Sequence, residues 1–164
     1  MALINTFKFQ TSVKIIFTFG VVGVVVAGVF FLYYPSQHMQ LPIAQSSLRE
    51  ITLGTTTLSV EVADTPLLRE RGLSGRASLL PLRGMLFEFE EDGVWGIWMK
   101  DMRFSIDIIW MDAHGTVKTV AHNAQPESYP KVFYPSAPTR YVLEVPAGFA
   151  RTHNIVKGDT LVLQ

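Results

Sequence analysis

Two carboxylates stand where carboxylates are costly. Asp107 lies in FSIDIIWM between Ile106 and Ile108, and Glu144 lies inside YVLEV. A strand alternates its faces with period two, so Asp107 shares a side with Ser105, Ile109 and Met111. Water is therefore expected to be excluded from both faces. A bare carboxylate there costs several kcal/mol unless it is paired, hydrogen-bonded or protonated. One reading is an acid or base with a raised pKa. The other is a buried ion pair or a backbone cap. Arg76 and Lys100 are the obvious cationic partners. Arg76 comes first, because a guanidinium can engage a carboxylate through two hydrogen bonds at once. A two-residue loop joining Trp98–Lys100 to Arg103–Asp107 would put Trp98, Lys100, Ser105 and Asp107 on one face. A three-residue loop would separate them. The candidate polar cluster, structural or functional, is thus Arg76, Trp98, Lys100, Asp107 and Glu144.

Other constellations carry less. Gly72-Leu73-Ser74-Gly75 lacks the spacing of a nucleophile elbow and reads as a turn. Glu88 and Glu90 share one side of a strand, as a glycosidase pair could, but beside Glu91-Asp92 they read as a wet face. The histidines are His38, His114, His122 and His153, and none is spaced as H-E-x-x-H. Asp112, His114 and His122 could meet a metal across a hairpin, yet a solvated turn is the simpler account, and no metal is expected. The chain has no cysteine. That excludes disulfides, thiolate zinc sites and a cysteine nucleophile. No phosphate-cradling glycine loop appears, and no cofactor is expected.

The positioning elements follow from pattern. Leu58, Val60 and Val62 alternate with Ser59 and Glu61 over 57–63, a half-buried strand. Asp64-Thr65-Pro66 supplies a cap and a first-turn proline for a two-turn helix that Gly72 ends. Further strands are expected over 85–90, 94–100, 104–111, 116–121, 140–145 and 160–163, with turns at 91–93, 112–115 and 157–159. Residues 122–139 carry four prolines and read as a long loop. A short helix is expected over 147–153. The fold class is α+β and mostly β: a small, partly closed antiparallel β-barrel-like domain with one or two short helices.

Ahead of that domain, residues 15–34 read IIFTFGVVGVVVAGVFFLYY, with no charge. Twenty helical residues span roughly 30 Å, the thickness of a bilayer's hydrocarbon core. Lys8 and Lys14 precede the run and no acid does, so the positive-inside rule keeps 1–14 cytoplasmic and exports the remainder. The expected division is 1–14 cytoplasmic, 15–34 transmembrane anchor, 35–48 tether and 49–164 domain. Localisation in the cytoplasmic membrane, single-pass, follows. The alternative is a signal peptide, leaving a secreted or periplasmic domain. Against it, a signal's apolar core is shorter, and Pro42-Ile43-Ala44 is a poor small-x-small site. Gly23 and Ala27 are spaced for helix packing, but that pattern is too common to specify an oligomer.

Only two of the fourteen Lys/Arg lie before residue 36, and none of the fourteen Asp/Glu does, so the remainder carries a net charge of −2. No basic run appears. Nucleic acid is not an expected partner, since phosphate binding needs a positive stripe.

Six segments together resemble the DUF192 family, also called UPF0127: VEVADTPLLRERGLSGR, GMLFEF, WMKDM, SIDIIWMD, YVLEVPAG and Gly158-Asp159. The resemblance covers about residues 50–164. It implies a compact β-rich fold, usually exported or membrane-tethered in bacteria, and no established activity. The family's recurrent polar positions fall here on Glu61, Arg76, Trp98, Lys100, Asp107, Glu144 and Asp159. Asp101 stands where the family pattern has an amide. The expected function is a binding or accessory module for an envelope protein or small-molecule ligand. The alternative is a hydrolase using Asp107 or Glu144 as general acid or base.

Overall fold

Strand β1 (Leu48–Leu53) opens the domain and turns directly into β2 (Thr56–Ala63). The computed structural model describes residues 47–164, so the apolar run at 15–34 lies outside the described residues. Helix α1 (Pro66–Arg71) follows as the sequence requires. Thr65 caps it, its hydroxyl accepting from Leu68 N at 3.3 Å, and Pro66 occupies the first turn. Then come β3 (Arg83–Gly93), β4 (Ile97–Trp98), β5 (Ile106–Met111), β6 (Val117–Ala124) and a 3₁₀ turn at Pro126–Ser128. Strands β7 (Val132–Phe133) and β8 (Thr139–Pro146), helix α2 (Phe149–Thr152) and β9 (Leu161–Leu163) complete the chain.

Seven strands form one sheet in the order β6-β5-β8-β3-β2-β1-β9, and β4 pairs with β7 apart from it. The expectation of a mostly β, partly closed barrel holds in its broad form, with one correction. The sheet is not wholly antiparallel, because β2 and β3 run parallel. Helix α1 and residues 72–82 form the crossover between them, and a strand reached by such a crossover arrives in the same direction. Four elements also differ from expectation. Strand β1 lies partly in the supposed tether, the 91–93 turn is the end of β3, the 94–100 strand shrinks to two residues, and the loop expected over 122–139 holds the end of β6, the 3₁₀ turn and β7. Among the described residues no helix is long and apolar enough to cross a membrane.

The sheet curls into a half-barrel. Val117 N donates to Asp159 O and Leu161 N to Gly115 O, each at 2.8 Å, around an isolated Thr116–Thr160 bridge. These bonds join the β9 edge to the start of β6. One apolar cluster draws on both edges and on α2: Leu53, Val60, Leu86, Ile109, Val117, Phe149 and Leu161 among others. That is the inner face. A second cluster draws on the central strands together with α1 and β4, including Ala63, Leu68, Met85, Ile97, Ile108 and Trp110. That is the outer face. Strand β5 is buried on both, which explains why FSIDIIWM reads so uniformly apolar.

Closure rests on Gly115. Its φ is +77°, and a Cβ there would sit 2.7 Å from the Leu161 carbonyl oxygen, a backbone atom that cannot swing away. Gly115→Ala is therefore expected to lower domain stability by about 2 kcal/mol, combining left-handed strain with a steric clash. Urea denaturation measures it, and a loss below about 0.5 kcal/mol, the range of ordinary surface changes, would rule this account out.

Candidate functional site: a cleft over Glu144 on the outer sheet face

Sheet register decides which polar residues meet. Glu144 pairs with Met85 on one side and Ile108 on the other, and Met85 pairs with Glu61. Glu61, Met85, Glu144 and Ile108 thus form one row on the outer face. Asp107 pairs with Val145, one residue out of phase, and faces inward. A period of two therefore puts the two costly carboxylates on opposite faces.

Arg76, in the segment after α1, folds over the outer row. Its Nη2 donates to Glu61 Oε2 at 2.7 Å, and its Nη1 donates to Glu61 Oε1. The hydrogen bond to Glu61 raises the Arg76 pKa, burial works against it, and the nearby charges of Glu61 and Glu144 add to the rise. So the expected Arg76–Asp107 pair does not form. The guanidinium takes Glu61, which sits on its own face of the sheet.

Glu144 is only 5% exposed, and its Oε2 has no hydrogen-bond partner. Burial pushes its pKa up to about 8, against the opposing pull of Arg76. At neutral pH the side chain is therefore mostly a neutral acid, able to donate a hydrogen bond. It lies in a cleft of about 90 Å³. Residues 72–74, just after α1, form one wall and residues 96–98 the other, with Phe87 and Met102 contributing apolar surface.

Strand β7 positions the second wall, since Ile97 pairs with Phe133 and Trp98 with Val132. Ile97 is buried in the outer-face cluster, so period-two alternation turns Trp98 towards solvent, where it is 48% exposed. Lys100 Nζ lies 5.6 Å from the Trp98 ring centroid, and Tyr129 meets that ring edge-on at 6.0 Å. Ser74 Oγ donates to the Lys100 carbonyl at 2.9 Å, tying the two walls together.

Asp107 has another role. It is fully buried, its Oδ1 accepts from Asn123 N at 2.8 Å, and its Oδ2 accepts from Ala150 N at 2.9 Å. Between the pairs Ile106–Ala124 and Ile108–Ala121, β6 has one more residue than β5. Such a bulge frees a backbone N–H, and Asp107 takes it. Its other oxygen caps α2, whose own N-cap, Gly148, has no side chain to do so. Asp107 also borders a cavity of about 260 Å³ with His122, Asn123 and Arg151.

Of the candidate cluster, Trp98 and Glu144 share the cleft, Arg76 lies beside it, and Lys100 sits on the Trp98 ring. Asp107 belongs to the opposite face. The two-residue-loop hairpin does not occur, because β4 pairs with β7 rather than β5. Ser74, Phe87 and Met102 were not foreseen in the site. The Gly-Leu-Ser-Gly turn was a local signal for Ser74, whereas Phe87 and Met102 carried none. Asp159 is a turn residue, its Oδ2 accepting from Val156 N at 2.8 Å. Asp112 accepts from the amides of His114 and Thr116, both at 2.9 Å, and pairs with Lys118 at 2.7 Å.

This domain recurs elsewhere. A crystal structure of a putative transcription regulator from Sinorhizobium meliloti 1021 superposes with a TM-score of 0.70 at 32% identity, over 73% of this chain and 96% of that one. A protein of unknown function from Novosphingobium aromaticivorans DSM 12444 matches with a TM-score of 0.68 at 26% identity, over 74% and 89%. Both solved chains consist largely of this domain, so in those proteins it folds on its own. No curated protein matches. The model of the family DUF192, described as an uncharacterized ACR, matches residues 49–163, and the chain belongs to that family.

Proposed function

We propose that this protein is a membrane-tethered binding module of the cell envelope, and that the Trp98–Glu144 cleft is its recognition site. One observation carries the site: a buried carboxyl with an unpartnered oxygen lies in a cleft beside a half-exposed tryptophan. Buried polar groups in folded proteins nearly always have a partner. An aromatic wall and a few convergent polar groups are what small-ligand sites present. The uncharged run at 15–34, flanked by Lys8 and Lys14 before it and by the uncharged stretch 35–48 after it, supports the tether. The regulator activity named for the Sinorhizobium protein is not carried over, because residues 36–164 are net acidic and have no basic stripe.

A second reading has its own support. A buried carboxyl pushed up to about 8 suits a general acid, so a hydrolase using Glu144 is the alternative. Asp107 serves that alternative less well, since a backbone amide donates to each of its oxygens. Ser74 is not poised as a nucleophile, because its hydroxyl donates to the Lys100 carbonyl.

Two measurements test the proposal. Full-length protein is expected to stay with membranes through carbonate extraction, and a mature N-terminus near Gln45 in cells would overturn the tether. In a thermal-shift screen of residues 45–164, a cleft ligand at 100 times its Kd adds about 2.7 kcal/mol of stability. Trp98→Ala should remove that shift, and losing its contacts with Tyr129 and Lys100 should lower basal stability by about 1 kcal/mol. Turnover of a screened compound, lost in Glu144→Gln, would favour the hydrolase instead.

A further inference from the structure

The chemistry of the cleft narrows its ligand, given the reading of the cleft as a recognition site. Glu144 Oε2 lacks a partner, and neither Met85 nor Ile108 beside it offers a polar side chain; a neutral carboxyl donates, so an accepting ligand suits it. The surrounding charge disfavours a cation. Glu61, two strands away, is tied to Arg76 in a neutral pair. Helix α1 brings Arg69, Glu70 and Arg71 to the rim, and Lys100 stands beyond Trp98. The Arg69 guanidinium itself donates to the carbonyls of Asp64 and Glu88, at 2.6 and 2.8 Å. Counting Asp101, whose carbonyl accepts from Gly75 N, three basic residues stand around the opening against two acidic ones. Leu73, Ile97 and Met102 line an apolar part of the same cleft. Its volume of about 90 Å³ suits a small group.

We propose that the cleft takes the carboxylate of a small organic acid, which accepts a hydrogen bond from the Glu144 carboxyl and lays a short apolar stem against Trp98 and Met102. A hydrogen bond from a neutral acid to a carboxylate is charge-assisted, and so stronger than one to an amide. The bound pair shares one proton. Ionising Glu144 puts two negative charges side by side and expels the ligand. Affinity therefore falls as pH rises through the Glu144 transition near 8.

Nuclear magnetic resonance of ¹⁵N-labelled residues 45–164 reads this directly, and it tolerates weak binding. The probes are propionate, propionamide and propylammonium, one neutral and one cationic analogue beside the anion. Propionate is expected to shift the amides of Gly72, Ser74 and Gly96 and the Trp98 indole N–H. Its affinity should fall about tenfold between pH 7 and pH 9, the loss for a required proton with a pKa near 8. Glu144→Gln should flatten that dependence, because an amide donates without titrating, and Glu144→Leu should abolish the shifts. N-acetylalanine separates the two sources of such a group: binding like propionate admits a peptide C-terminus, and exclusion restricts the site to free acids. Equal or tighter cleft binding by propionamide or propylammonium overturns the carboxylate assignment and leaves the recognition site standing. Silence of the cleft towards all three probes, with no hit in the thermal-shift screen, overturns both.

Discussion

Replacing Glu144 by glutamine is expected to stabilise the domain at neutral and alkaline pH and to do little in acid. The folded protein holds this carboxyl at about 8, against an ordinary value of 4.5. Between those values the folded state keeps a proton that the unfolded state has lost. Stability is thus fully present below about pH 4.5, falls as pH rises, and levels off above about 8. The full gap corresponds to about 5 kcal/mol, at about 1.4 kcal/mol per pH unit. Glutamine has nearly the same shape and does not titrate. The variant should therefore match the parent near pH 4 and exceed it by roughly 3–5 kcal/mol at pH 8.5. Comparing the two by urea denaturation at each pH cancels the other carboxylates. A constant difference across that range would show that the folded protein does not hold Glu144 as a neutral acid. Destabilisation by the amide would point the same way. A gain in stability on removing a site residue is also what a functional cleft predicts.

Asp107→Asn is expected to act in the opposite direction. The carboxylate accepts two buried backbone N–H groups, from Asn123 and Ala150. An asparagine oxygen can take one of them, and its NH₂ then confronts the other. One buried donor is left without a partner, which costs about 1–3 kcal/mol, and a charge-assisted bond is lost as well. The expected loss is about 3 kcal/mol, lowering the melting temperature by roughly 10 °C or more for a domain of this size. Amide exchange should quicken at Asn123 and Ala150, because the bulge in β6 and the first turn of α2 depend on this side chain. Arg76→Ala should add independently to Asp107→Asn, since the two lie on opposite sheet faces and share no partner. Strong coupling between them would restore a direct Arg76–Asp107 pair. Unchanged stability in Asp107→Asn would free Asp107 for a role in chemistry.

Much of the architecture was legible because it is written in local pattern. Thr65-Pro66 and Gly72 bound α1 through capping and backbone chemistry that involves only near neighbours. Alternation over 57–63 marked β2, and Asp112 to Gly115 marked the β5–β6 turn, for the same reason. The cost of a carboxylate inside FSIDIIWM or YVLEV was visible too, since it depends on flanking apolar residues alone. The six segments that resemble DUF192 identified the family before any fold was seen.

What pairs with what was not legible. The alternation in YVLEV turns Glu144 away from Val145, and that in SIDII turns Asp107 away from Ile108. Which of these faces coincide depends on the β5–β8 register, where Asp107 pairs with Val145 and Ile108 with Glu144, 38 and 36 residues apart in the chain. A one-residue slip would have put Asp107 and Glu144 together. Residues 94–100 alternate like a full strand, yet only Ile97 and Trp98 pair, because their partner is the short β7 inside a proline-rich loop. The parallel β2–β3 pair followed from the crossover through α1, whose length was readable but whose destination was not. Local pattern carried α1, β2, the β5–β6 turn, the cost of the two acids and the family resemblance. Tertiary structure alone decided that Asp107 stitches a bulge to a helix while Glu144 is left facing a cleft, because sheet register is a long-range choice that local residue chemistry does not encode.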